Sequence, residues 1–162
     1  MKFLLSGLAT LLLAASAGAE PRVIFLVRHA ERADASGPAQ ADPALSATGK
    51  ARAAALVKEL RDAGISAIYT SEFRRAQQTA SPLANSLGIK IEVVPAKDSA
   101  ALLAKLRSAS GNVLVVGHSN TVPEIIKALG VSVSVTIAEQ DYDDLFLVVS
   151  GQPPRLIHLH YP

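Results

Sequence analysis

Two uninterrupted apolar runs, Val23-Ile24-Phe25-Leu26-Val27 and Val113-Leu114-Val115-Val116, organise the pattern of the chain. Both are short and rich in branched side chains, and neither alternates with polar residues. Each therefore predicts a strand buried on both faces. Ala67–Thr70 and Ile89–Val94 predict further short strands. Between the strands the apolar spacing becomes helical. Ser46 is placed to cap a helix running to about Ala63, with Ala51, Ala55, Leu56 and Leu60 along it and Gly64 as its stop. Phe73–Leu87 predicts a second helix ended by Gly88 and bent at Pro82. Asp98–Ser108 and Pro123–Leu129 predict two more. Val131–Ile137 alternates valine with serine and predicts an extended segment. Leu145–Val149 and Leu156–Tyr161 predict strands joined by the Gly151-Gln152-Pro153-Pro154 turn, and so an antiparallel pair. Strands alternating with helices through most of the chain imply an α/β fold, a three-layer α/β/α domain around a mostly parallel sheet.

The first residues do not fit that pattern. Lys2 precedes an apolar stretch from Phe3 to Ala15, and Ala17-Gly18-Ala19 follows with the small-x-small spacing that signal peptidase accepts. The stretch is too short for a membrane span. The expectation is a signal peptide over residues 1–19, cleavage near Ala19, and a periplasmic or secreted domain over residues 20–162 with no stable membrane insertion.

The 162 residues carry a net charge of +2, and losing Lys2 with the leader lowers it by one. Aromatic residues make up 4% of the chain. A basic field and a stacking platform are both missing, so no nucleic-acid partner is expected. With no cysteine in the chain, disulfides and a thiolate nucleophile are excluded.

The chemistry collects at strand ends. The first buried run ends on Arg28-His29-Ala30-Glu31 and the second on Gly117-His118-Ser119-Asn120. In open α/β sheets ligands bind at the carboxyl edge of the strands, where both histidines emerge. The second predicted helix opens with Ser71-Glu72-Phe73-Arg74-Arg75, aiming backbone N–H groups and arginine at the same edge. Two imidazoles with two or three guanidinium groups suit phosphoryl transfer. Arginine grips phosphate oxygens with a fixed fork, and a neutral imidazole nitrogen can attack phosphorus. No carboxylate cluster or HExxH helix accompanies them, so neither metal nor cofactor is expected.

These residues resemble the histidine phosphatase (phosphoglycerate mutase-like) superfamily. Arg28-His29-Ala30-Glu31 is similar to its RHG signature, and Tyr69–Ala80 to its serine-proline-leucine-arginine-alanine motif ending in glutamine-threonine. Gly117-His118-Ser119 resembles its second histidine motif. Asp42-Pro43-Ala44-Leu45-Ser46, with Gly49 and Arg52-Ala53, matches the lead into its first helix. The resemblance implies a phosphoglycerate mutase-like fold and a phosphatase that takes a phosphorylated substrate. It makes His29 the phosphorylated nucleophile, has Arg28 and Arg75 clamp the phosphate, and has His118 complete the pocket. Ser119 and Asn120 are further substrate-binding candidates. The oligomeric state and the substrate are left open. The family's mutase branch has an acid within a long insertion that is absent here. Ala30 also stands where the family has glycine, and a positive φ there would strain alanine.

The leaving alcohol needs a proton unless its own pKa is low. Asp98 and Glu31 are the candidate acids. Asp98 could equally cap a helix, and Glu31 could equally pair with a nearby base. Asp141 and Asp143 lie further from the expected edge. His158 and His160 alternate on one strand and share a face, yet two ligands rarely hold a metal, so they read as surface histidines.

Overall fold

The run Val23–Val27 lies within β1 (Val23–Arg28), buried from Ile24 onward, in a computed structural model that describes residues 21–34, 37 and 41–162. The expected leader and part of the loop between Ala33 and Asp42 lie outside those residues. The second run becomes β4 (Asn112–Gly117), buried from Val113 onward. β1 and β4 lie side by side in parallel, with Arg28 opposite Gly117. Full burial on both faces is what their unbroken apolar runs require.

The remaining elements are α1 (Ala47–Leu60), β2 (Ile65–Thr70), α2 (Arg74–Leu87), β3 (Ile91–Val93), α3 (Ser99–Ser108), α4 (Thr121–Ala128), β5 (Asp144–Val149) and β6 (Arg155–His160). They form one six-stranded sheet in the order β3-β2-β4-β1-β5-β6. The first four of these strands are parallel, and β5 and β6 run antiparallel at one side. Leu56 and Leu60 of α1 and Ala80 and Leu83 of α2 cover one face of the sheet. Leu106 of α3 and Val122, Ile125 and Ile126 of α4 cover the other. The α/β/α layers expected from the alternation of patterns are therefore present.

Local chemistry sets the ends. Ser46 Oγ accepts from Gly49 N–H (3.0 Å) and starts α1. Gly88 ends α2 at φ 66°, a left-handed conformation open to glycine without strain. Pro82 lies inside α2, which continues to Leu87.

The segment 131–137, expected to be extended, joins no strand of the sheet. Val131, Val135 and Ile137 pack against the α4 side of the core, but no strand pairs with them. The alternation is met only in part, because Val133 is 62% exposed.

Candidate active site

Because β1 and β4 are parallel neighbours, the residues that follow them emerge together at the carboxyl edge. The His29 N–H donates to the Gly117 carbonyl (2.9 Å), which extends the ladder by one bond. The rings of His29 and His118 then stand edge to face, with centroids 5.2 Å apart. Both residues are buried.

The state of His29 follows from one hydrogen bond. Its Nδ1 lies 2.8 Å from the Ala30 carbonyl oxygen. A carbonyl only accepts, so Nδ1 carries the proton and Nε2 keeps its lone pair. Burial pushes the imidazole down to about 3. The Ala30 carbonyl opposes that shift, whereas His118, Arg75 and Arg28 reinforce it. Burial likewise brings His118 down to about 4, helped by Arg75. Both rings are thus neutral at ordinary pH. His118 Nε2 and Ser71 Oγ share a hydrogen bond of 2.8 Å, so the residue after β2 orients the second ring.

Ala30 fits without strain, since no non-glycine residue among those described has a positive φ. Its methyl packs with Leu45 and Ala53, and its N–H donates to Thr79 Oγ1 (2.9 Å). That hydroxyl donates in turn to the Arg75 carbonyl (2.7 Å). The residue after His29 and the first turn of α2 are joined by this short chain of bonds.

Arg75 lies over the Phe73 ring at 4.3 Å and 3.7 Å from Asp42 Oδ1. Its Nε is buried with no partner among the described residues. Arg28 is held from the opposite side. One of its terminal nitrogens, Nη1, donates to the carbonyls of Ala138 (2.9 Å), Glu139 (2.7 Å) and Asp141 (3.2 Å). Its guanidinium also lies over the Tyr142 ring at 4.1 Å. Both arginines and both histidines line one open cleft of about 700 Å³. Arg32 and Lys97 line it too, against the single carboxylate of Glu139. Such a cleft is built for an anion.

Residues 24–98, which carry Arg28, His29 and Arg75, match the family model of the histidine phosphatase superfamily (branch 1). The match covers a little under half of the chain. It is 37% identical over 75 residues to a protein of Yersinia enterocolitica named as a probable phosphoglycerate mutase. That alignment covers 44% of this chain and 35% of the relative, so the chain spans about a third of the length of the curated protein it matches. Among solved structures it is similar to the protein histidine phosphatase SixA complexed with tungstate. There the TM-score is 0.67 at 20% identity, over 86% of this chain and 95% of the other. It is also similar to a mycobacterial glucosyl-3-phosphoglycerate phosphatase. That TM-score is 0.66 at 14% identity, over 87% of this chain and 98% of the other. At such identities these two likenesses speak for the fold.

The remaining candidates divide. Ser119 and Asn120 line the cleft, at the start of α4. Glu31 does not line it. Its carboxylate accepts from Arg52 Nε (2.9 and 3.0 Å) and from a terminal nitrogen (2.7 Å). Burial alone would raise its pKa, but Arg52 holds it below the usual carboxylate value. Asp98 accepts from Ala101 N–H (3.0 Å) as the cap of α3, and borders a small apolar pocket beside His118 rather than the cleft. Of the two alternatives open for each residue, the structure shows the ion pair and the cap.

Tyr142, Arg32, Lys97, Phe73 and Glu139 all meet the cleft or its histidines, and sequence reasoning missed them. They sit in loops or at a helix start, where no periodicity marks a side chain as inward. Arg28 at the end of a fully buried strand could have pointed to the loop that returns to hold it, because a buried guanidinium needs acceptors.

Proposed function

We propose that this protein is a metal-independent phosphatase working through a phosphohistidine on His29. The observation that carries the reading is the fixed tautomer of a buried, neutral His29 inside a cation-lined cleft. Nε2 attacks phosphorus, the P–O bond to the alcohol breaks, and that oxygen leaves with the bonding pair and takes up a proton. Water then attacks the phosphorus, the P–N bond breaks, and Nε2 recovers its lone pair as phosphate departs. Arg28, Arg75 and His118 stabilise the equatorial oxygens in both steps.

Among the residues lining the cleft only Glu139 carries a carboxyl, and Glu31 and Asp98 are committed elsewhere. Weak acid assistance favours substrates with good leaving groups, such as aryl phosphates or phosphoramidates, over simple alkyl esters. The leader-like residues 1–19 support export and a phosphorylated envelope component or small molecule as substrate. One observation favours a second reading, a phosphate-binding cleft without turnover: among the described residues no carboxyl hydrogen-bonds to His29 or His118, although the Glu72 carboxylate is near enough to oppose the downward shift of His118.

The test is hydrolysis of a nitrophenyl phosphate in EDTA, beside His29→Ala. Turnover that survives EDTA and vanishes in the variant supports the phosphatase. Phosphate binding by a folded protein without turnover supports the second reading. Phosphoryl transfer to an added alcohol, exceeding hydrolysis, would instead make it a mutase-like transferase. Activity retained by His29→Ala would remove His29 as nucleophile.

A further inference from the structure

A second cluster lies at the antiparallel side of the sheet, outside the cleft. β5 and β6 pair so that Asp144 faces His160 and Phe146 faces His158. Alternation along the strands puts Asp144, Phe146, His158 and His160 on one face. His158 stacks on Phe146, with centroids 4.4 Å apart, and the two imidazoles lie 4.7 Å apart. Register therefore supplies the third ligand that the two histidines lack on their own.

The distances suit a shared ion. One donor atom from each of Asp144, His158 and His160 lies within 4.8 Å of the others. His160 Nδ1 is 3.5 Å from Asp144 Oδ1 and 3.5 Å from Asp143 Oδ2. Ligands of a tetrahedral zinc, each at about 2.0–2.1 Å from the metal, stand about 3.3 Å apart. His158 Nε2 and Asp144 Oδ1 are closer, at 2.6 Å, as a hydrogen-bonded pair. A metal would replace that bond and part the two atoms by less than about 1 Å. The Asp144 side chain is 7% exposed, and among the described residues only these imidazoles lie within ion-pair distance of it. A buried carboxylate in that position needs a cation. Imidazole nitrogens with carboxylate oxygens fit zinc better than calcium or magnesium, which take oxygen donors.

We propose that Asp144, His158 and His160 bind a zinc ion that clamps β6 to β5, with its fourth position left to solvent. β6 is the edge of the sheet, and its Ile157 and Leu159 are exposed. An ion across the two strands would hold that edge in register without touching the phosphatase reaction.

The test is calorimetric titration of the full chain with zinc chloride after EDTA treatment and dialysis, followed by thermal melts. One equivalent should bind, and at zinc 100-fold above Kd the unfolding equilibrium should shift about 100-fold toward the folded state, raising Tm. His158→Ala and His160→Ala should each lose the bound equivalent and the rise in Tm. The metal-free melt of His158→Ala should fall below that of the wild type, because its bond to Asp144 and its stack on Phe146 are lost, so the reading is the zinc-dependent rise within each variant. Nitrophenyl phosphate hydrolysis in EDTA should be unchanged. A His29→Ala/His118→Ala double variant should still bind the ion. The proposal is overturned if no equivalent binds. Binding that survives His160→Ala, or disappears in the double variant, overturns it as well.

Discussion

The depressed pKa of His29 makes a quantitative prediction about acid tolerance. An imidazole at its ordinary 6.5 would be about 3% neutral at pH 5, whereas one brought down to about 3 would be about 99% neutral. Even a midpoint near 4 leaves about nine-tenths of the nucleophile ready at pH 5, roughly a 30-fold advantage over a free imidazole. The acid limb of kcat/KM, which reports the free enzyme, should therefore lie below pH 5 once the substrate's own ionisation is divided out. NMR titration of the His29 ring reads the same property without a substrate. Its Cε1–H signal should hold still from pH 8 to 5, with nitrogen shifts typical of the Nδ1–H tautomer. Folding stability must respond with the matching sign. The unfolded chain takes up protons below 6.5 and the folded site does not, so stability is lost as pH falls from 6.5 toward about 3. The slope is about 1.4 kcal/mol per pH unit for each fully differential group. A His29 midpoint at or above 6, with an acid limb following it, would refute the argument that burial keeps the ring neutral.

Other consequences can be checked by single substitutions. Arg75→Ala should lower kcat/KM about 10- to 100-fold, the worth of a charge-assisted phosphate contact, while Arg74→Ala should leave it within about twofold. Glu31→Gln should lower stability by about 1 kcal/mol, because it breaks a partly exposed bidentate pair with Arg52, and should leave kcat unchanged. A collapse of kcat in that variant would restore Glu31 as the acid. Gly49→Ala should cost about 3 kcal/mol in a denaturant melt, since its Cβ would sit 2.1 Å from the Glu31 carbonyl oxygen, a backbone atom with no room to yield. A series of aryl and alkyl phosphates should show kcat falling steeply as the leaving group becomes more basic, and a flat series would mean that an effective acid is present.

What the chain reveals in its order of residues depends on whether the information is local. β1 and β4 announce themselves because burial on both faces demands unbroken apolar runs, and Arg28, His29 and His118 follow at once as their terminal residues. Ser46 declares its helix through a cap that reaches only to Gly49. Contacts made by closure of loops leave no such trace. Nothing in Ala138, Glu139 or Asp141 marks their carbonyls as partners of Arg28, 110 or more residues earlier. The ion pair of Glu31 with Arg52 and the convergence of Asp144 with His158 and His160 likewise emerge only when register is known. Val131–Ile137 shows that alternation alone does not say whether an extended segment will find a strand to pair with.

The grip of Arg28 on the returning loop has a consequence for how the cleft could answer its substrate. The same guanidinium that borders His29 is the anchor for Ala138, Glu139, Asp141 and Tyr142. An arriving phosphate offers Arg28 acceptors stronger than neutral carbonyls. Every N–H that turns toward the anion is then withdrawn from a carbonyl that fastens the loop to the strand. Occupancy of the cleft and the fastening of residues 138–142 are in this way two readings of a single residue's allegiance.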